Sequence, residues 1–409
     1  MASLLTLPLE ILQQILAELA DNQPEPPSLE YTVPLFSSNT TSAILCQTCR
    51  SLREIAEPVL HRHIYMRSAS VKRFISLFRC WKARPHCAQY TRRLTIEARS
   101  RRHEGFAWRA TTRLIDLEDA DFVSSIIRDV GLKIRSDWFE HDWNINVLVE
   151  VAMLLAQNAE SVELLFQDQR GVYRQPFDMI PPDKATKPIL FNNLRHLHLM
   201  QPGPSSMDEF KSILDCTPNL QRLRLDFCGN PMSVFTLPPN LTSLILRRTN
   251  LGARQFQSMT SNFTILRHLE LDLDGSSREK SILEAIAKHC STLTSLILIS
   301  GKALPFAKLK NLHKLKSLTT SIETVQPEDL LGSVPFSLRD LRILEETNGG
   351  TMHRPEAWFK DFNADLDARS GTLPQNMVIH KSLYSRRINS VPTLTSCNRD
   401  YVLWQKMSE

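Results

Sequence analysis

Leu194-Arg-His-Leu197-His-Leu199 opens a phrase that the chain repeats. It returns as Leu220-Gln-Arg-Leu223-Arg-Leu225, Leu241-Thr-Ser-Leu244-Ile-Leu246, Leu266-Arg-His-Leu269-Glu-Leu271 and Leu293-Thr-Ser-Leu296-Ile-Leu298. Leu315-Lys-Ser-Leu318-Thr-Thr320 and Leu338-Arg-Asp-Leu341-Arg-Ile343 are degraded copies. Successive starts lie 21 to 27 residues apart, and every start is a leucine. The L-x-L portion alternates, so its leucines share one face of a strand and the residue between them takes the other. One copy cannot bury its leucines, but stacked copies bury a continuous column.

The spacing is that of a leucine-rich repeat. The segments between phrases carry helix signals. Ser206-x-x-Glu209 and Ser276-x-x-Glu279 are capping boxes ahead of Phe210, Ile213 and Leu214 and of Ile282, Leu283, Ile286 and Ala287. Pro327-Glu-Asp opens a short turn that Gly332 can close. Cys228 stands where such repeats favour Asn or Cys. Strand followed by helix predicts a parallel sheet lining a horseshoe, an α/β solenoid. Thr91-Arg-Arg-Leu94-Thr-Ile96 and Ala159-Glu-Ser-Val162-Glu-Leu164 read as two weaker copies. Two helical patterns separate them. Phe122, Val123, Ile126, Ile127 and Val130 make one, ending near Gly131; Val147, Leu148, Val151, Leu154 and Leu155 make the other. Trp138, Phe139 and Trp143 are expected to fill the junction.

Upstream, Pro8 suits a first helical position and Glu10 a first turn. Ile11, Leu12, Ile15, Leu16 and Leu19 then mark one helical face. A Pro- and Ser-rich loop is expected over 21–42. A second helix is read from Leu45, Cys49, Leu52, Ile55, Ala56 and Val59, interrupted at Pro58. The stretch 66–90 reads as helical, with Val71, Phe74, Ile75, Phe78 and Trp81 on a face. Pro355-Glu-Ala-Trp358-Phe359 starts a last helix carrying Phe362 and Leu366, placed to cap the core. Residues 372–409 have no clear period and read as a flexible tail, with Ser382, Ser385, Arg386, Arg387 and Ser390, although Tyr401 and Trp404 could pack back.

These residues carry a resemblance. Leu7-Pro8-x-Glu10-Ile11-Leu12-x-x-Ile15-Leu16, Leu45-x-x-x-Cys49-Arg50-x-Leu52-Arg53 and Pro58-x-Leu60-x-Arg62-His63-Ile64 resemble the helices and exit of an F-box of the fungal type. Leu52 stands where that family usually has Trp or Phe, and the 21–42 loop is longer than usual. Joined to leucine-rich repeats, the match resembles the F-box/leucine-rich-repeat proteins. The division it implies is a small all-α F-box at 1–65, linker helices at 66–90, a solenoid at 91–350 with an insertion at about 97–157, and a capping helix and tail at 351–409. The resemblance implies a substrate receptor of an SCF-type cullin–RING ubiquitin ligase. The helical region would dock on a Skp-family adaptor, and through it a cullin, using Leu7, Pro8, Glu10, Ile11, Leu12, Ile15, Leu16, Leu45, Cys49 and Leu52.

The residues between the leucines are the candidates for holding a protein target. Three rows can be read along the expected concave face. The first is His196, Arg222, Ser243, His268, Ser295, Ser317 and Asp340. The second is His198, Arg224, Ile245, Glu270, Ile297, Thr319 and Arg342, and the third Met200, Asp226, Arg247, Asp272, Ile299, Ser321 and Leu344. At about 4.8 Å per strand, seven strands make a ledge of about 30 Å. Its early part is basic, and Ile245, Ile297 and Ile299 later on suggest something covers them.

Composition bounds the alternatives. The 409 residues are 42% hydrophobic and 23% charged, as in globular proteins, with a net charge of +5. Eight scattered cysteines suit a reducing compartment. The N-terminus lacks a basic region ahead of its apolar residues, and no run of 18 apolar residues exists, so cytoplasm or nucleus is expected, with no membrane contact. Hydrolase elbow, P-loop, dinucleotide fingerprint and H-E-x-x-H are all missing from the sequence, so no enzyme activity and no cofactor are expected. Cys46-x-x-Cys49 with His61 and His63 fits zinc-ligand intervals poorly, and no metal is expected there; Cys80 and Cys87 read as structural. Arg92, Arg93, Arg99, Arg101, Arg102, Arg109 and Arg113 form a basic run, read as a solvated loop beside a strand. Two alternatives stand beside the ligase reading: a repeat scaffold without ubiquitin transfer, and a nucleic-acid binder resting on that run.

Overall fold

The computed structural model describes residues 8, 10–12, 14–15, 18, 37–67, 71–99, 117–130, 145–167, 191–200, 210–226, 236–249, 251, 253–273, 280–346, 355–369, 373–374, 377–384 and 400–405. The chain divides into two compact units, Met1–Arg195 and His196–Glu409.

In the first unit, the helix near the N-terminus includes Glu10, Ile11, Leu12, Gln14, Ile15 and Glu18. The Leu12 N–H donates to the Pro8 carbonyl, so Pro8 sits just outside the first turn rather than in it. Helix α1 (Ser37–Thr48) begins inside the stretch expected to be a loop. The break before α2 (Arg50–Arg62) falls at Cys49, whose extended backbone (φ −157°, ψ 168°) caps α2, and not at Pro58, which α2 carries inside it. Proline removes one N–H from a helix, and here the helix runs on through it. Leu52 and Ala56, then Glu57 and His61, are buried one turn apart on α2.

Strand β1 (His63–Arg67) follows, where the sequence suggested the exit of a helical module. The signal was weak because only five residues alternate. Helix α3 (Val71–Ala83) buries Phe74, Ile75, Phe78 and Trp81 as expected, their rings 5.9 and 6.4 Å apart in succession. Pro85 starts α4 (Pro85–Tyr90), which leads to β2 (Arg93–Arg99). The two inserted helices are α5 (Leu117–Asp129) and α6 (Ile145–Leu155), and β3 (Ser161–Gln167) ends the insertion. Trp138, Phe139 and Trp143 lie outside the described residues. β1, β2 and β3 pair in parallel, Ile64 opposite Leu94 and Leu94 opposite Val162. The two weaker copies are thus strands, and β1 is a third that the phrase does not mark.

The second unit is a solenoid-like α/β arrangement. Its strands are β4 (His196–Met200), β5 (Arg222–Asp226), β6 (Ser243–Thr249), β7 (His268–Leu273), β8 (Ser295–Ser300), β9 (Ser317–Ser321) and β10 (Asp340–Glu346). They pair in sequence order and in parallel. The return segments hold α7 (Lys211–Asp215), α8 (Ala253–Thr260), α9 (Lys280–His289), a 3-10 turn (Phe306–Asn311) and α10 (Pro327–Ser333). Gly332 lies within α10, which closes one residue later at an extended Val334. Both capping boxes and Cys228 fall outside the described residues.

Registration is residue for residue. Leu197, Leu223, Leu244, Leu269, Leu296, Leu318 and Leu341 form one rung-to-rung column. None is more than 2% exposed. The starting leucines from Leu220 to Leu338 are as deeply buried. Thr242 and Thr294, which hold equivalent places in their copies, donate their hydroxyls to the Gln221 and Arg267 carbonyls of the preceding copy. A polar position of the phrase therefore also ties neighbouring copies together.

Helix α11 (Pro355–Arg369) buries Phe362 and Leu366, and its Trp358 indole N–H donates to the Val325 carbonyl at 3.0 Å. Beyond it the expected tail contains two strands. β11 (Val378–Tyr384) pairs in parallel with β10, and β12 (Asp400–Gln405) pairs antiparallel with β11. Ile379 continues the leucine column opposite Leu341 and is fully buried. Neither strand carries the phrase, so periodicity could not find them. Residues 385–390 of the expected tail lie outside the described residues.

Candidate functional site

Strands β4 to β10 present their other face as three rows, and exposure falls from the first row to the third. Arg222 is exposed; His196, Ser243, His268, Ser295, Ser317 and Asp340 are half-buried. In the second row His198, Arg224, Ile245, Ile297 and Arg342 are half-buried, while Glu270 and Thr319 are buried. The whole third row is buried: Met200, Asp226, Arg247, Asp272, Ile299, Ser321 and Leu344. The sequence places Arg247, Glu270 and Ile299 on an open face; the structure buries all three. Alternation correctly turns them away from the leucines, but it cannot report what else covers them. Ile299 and Leu344 pack together with Ile297 against them, so the odd isoleucines are partly accounted for within the chain.

The buried charges form a network. His198 Nε2 lies 2.9 Å from Asp226 Oδ2, and the same oxygen accepts from Arg224 Nε at 2.9 Å. Asp226 stands opposite Arg247, and Arg247 opposite Asp272, so charge alternates across three strands. Arg247 Nε donates to Glu270 Oε1 at 2.5 Å. Burial opposes ionisation of Asp226, but the His198 hydrogen bond and the charges of Arg224, His198 and Arg247 outweigh it and hold the carboxyl below its usual range. Burial likewise disfavours charge on Arg247, yet Glu270, Asp226 and Asp272 raise its pKa. Burial lowers the pKa of His268, helped by Arg222 and Arg247 and opposed by Glu270, so this ring is held neutral more firmly than an exposed one. Arg248, beside the network, holds a left-handed φ of 50° where the ladder register shifts between Arg247 and Thr249.

The arrangement brings His198 and Arg224 onto Asp226, and Arg247 onto Glu270, and holds Arg342 half-buried on β10. Asp226 and Asp272, which the sequence reading sets in the third row of the expected concave face, complete the network. Reading the third row as charge partners, not as surface, is the signal that finds them. With Asp226 and Glu270 compensated internally, the exposed charge on β4 to β7 is that of Arg222, while Arg224 and Arg248 are half-buried.

Among the helical candidates of the first unit, Pro8, Glu10, Ile11 and Ile15 are exposed, and Leu12 and Leu52 are buried. Leu45 and Cys49 are half-buried; Leu7 and Leu16 lie outside the described residues. Ile11, Ile15 and Ile44 keep 43%, 39% and 58% of their surface exposed. In the arginine run, Arg93 pairs with Glu163 at 2.6 Å and Arg92 with Glu160 at 3.5 Å. Arg101, Arg102, Arg109 and Arg113 lie outside the described residues. Cys46, Cys49, Cys80, Cys87, Cys216 and Cys290 are free thiols. Cys46, Cys49, His61 and His63 do not gather into a ligand set among the described residues; His61 instead faces Glu57 and Cys87. No described helix is long and apolar enough to cross a membrane.

No protein-family profile matches the chain. A segment of 101 residues is 31% identical to large ribosomal subunit protein uL3 of Methanothrix harundinacea (strain 6Ac). It covers 25% of this chain and 26% of that protein.

Proposed function

We propose that the protein is a non-catalytic interaction module of the F-box/leucine-rich-repeat kind, the substrate receptor of an SCF-type cullin–RING ubiquitin ligase. The observation that carries this reading is apolar exposure in the N-terminal helices. Ile11 and Ile15 project from a helix whose Leu12 is buried, and Ile44 projects from α1. Large aliphatic side chains left exposed at three positions of the N-terminal helices suit a protein partner, and the motif resemblance makes that partner a Skp-family adaptor. The polar rows of the second unit, led by Arg222 and Arg224, would then hold the target. The module forms no bond itself; it raises the target's local concentration near the conjugating enzyme. Such a protein works in cytoplasm or nucleus.

The test uses the full chain. Adaptor pull-down is expected from the wild type and lost in Ile11→Asp with Ile15→Asp, whose side chains are exposed enough to change without opening the core. Retention by the double variant removes the proposed docking face. Transfer of ubiquitin to a captured target, in a reconstituted assay, separates a receptor from a scaffold that only binds the adaptor.

A further inference from the structure

Glu57 and His61 lie one turn apart on α2, so their side chains leave the same helical face. The α4 helix brings Cys87 to that face. One ligand atom from each of the three lies within 4.8 Å of the other two. Glu57 and His61 are each 9% exposed, and Cys87 is fully buried. His61 Nδ1 has no hydrogen-bond partner among the described residues. Buried polar atoms are almost always partnered, so an orphan imidazole nitrogen beside a carboxylate and a thiol calls for another ligand.

We propose that Glu57, His61 and Cys87 form a zinc-class transition-metal site that ties α2 to α4. The donor set decides the class of ion. Thiolate, imidazole and carboxylate are the zinc ligands, and three from the protein leave one tetrahedral position. A sulfur donor disfavours magnesium and calcium, which take oxygen. The Glu57 carboxylate and a Cys87 thiolate offset the two charges of a divalent cation, and the Arg84 guanidinium paired with Glu57 lies toward solvent, its side chain 47% exposed. Binding follows Cys87–SH plus M²⁺ giving Cys87–S⁻–M²⁺ plus one released proton. Burial pushes the Cys87 thiol up to about 12, so it is protonated until a cation takes the proton's place. Burial lowers the His61 pKa and favours the neutral, ligating ring. Outside the three, His86 Nε2 lies 2.9 Å from Glu57 Oε2 and Arg84 pairs with Oε1, which aims the carboxylate. Sequence spacing, which spoke against a metal at Cys46 and Cys49, could not find this set, because Cys87 reaches His61 only through the packing of α4 on α2. The site stands independently of the ligase reading.

The full chain, stripped with a chelator, is titrated with Co(II) and then Zn(II). The expected result is one Co(II) per chain, with a thiolate-to-cobalt charge-transfer band that Zn(II) abolishes. Cys87→Ser loses the band, Cys49→Ser keeps it, and His61→Gln weakens Co(II) binding by at least about tenfold. No band in the wild type overturns the site, as does a band that survives Cys87→Ser. Should Cys87→Ser fail to fold by circular dichroism, His61→Gln decides: an unchanged Co(II) affinity overturns the site.

Discussion

Leu223 and Arg224 are adjacent on β5, yet their surroundings differ in kind. The leucine column facing one way is uniform from β4 to β10. The opposite face of the same strands changes from a first row holding exposed Arg222 among half-buried polar residues to a buried, internally compensated network in its third. A uniform column needs only the local pattern, since every copy solves the same burial problem in the same way. The polar face solves its problem through partners on neighbouring strands, and each copy solves it differently.

The sharpest way to break this contrast is Arg247→Ala. It leaves Glu270, Asp226 and Asp272 buried without their shared cation, and a loss of about 3–5 kcal/mol is expected in the denaturant midpoint. A loss under about 1 kcal/mol would mean that the third row reaches water and the two faces differ less than they appear. Leu223→Ala, on the inward column, is expected to cost about 2–5 kcal/mol through lost transfer and cavity terms. An unchanged melting temperature would remove Leu223 from the core.

The first unit offers a comparison by pH. Burial and the nearby Arg93 lower the pKa of His63 from 6.5 to about 4. Between those values the unfolded chain binds more protons than the folded one, so stability falls as pH drops through this window. The expected loss is about 2 kcal/mol between pH 7 and pH 5. His61 and His268 act in the same direction, so the difference between wild type and His63→Phe isolates this ring. Equal pH slopes in the two proteins would show that His63 protonates freely. The smallest effect belongs to Arg222→Ser, on the exposed first row. Stability should stay within about 0.5 kcal/mol, and a larger loss would make Arg222 part of the buried network.

Legibility followed the same division. Every full copy of the phrase became a strand, and so did the two weaker copies at Leu94 and Val162. Strand β1 escaped because His63-Ile-Tyr-Met-Arg is short and lacks leucine spacing. β11 and β12 escaped because a sheet edge can be extended by any residues that fit its register. The helix break falls at Cys49, nine residues before the interruption expected at Pro58. Proline is a strong breaker in isolation, but surrounding packing held α2 together through Pro58.

At the candidate sites, chain position was readable and accessibility was not. Period-two alternation sends Arg247 and Glu270 away from the leucines, but their burial depends on residues distant in sequence. Leu12 and Ile11 share one apolar stripe in the sequence, yet packing buries one and leaves the other exposed. Glu57 and His61 could have been paired from their spacing of four on a helix. Their meeting with Cys87 could not, since no short-range rule relates residue 61 to residue 87.

By itself, the sequence determined the parallel strand-and-return architecture of the second unit, because a six-residue phrase that cannot bury its own leucines must stack on its neighbours. Only the tertiary structure decided which outward side chains are open to a partner, which charges neutralise one another, and which donors gather around His61. Those outcomes depend on distances between elements, and a linear pattern holds no information about such distances.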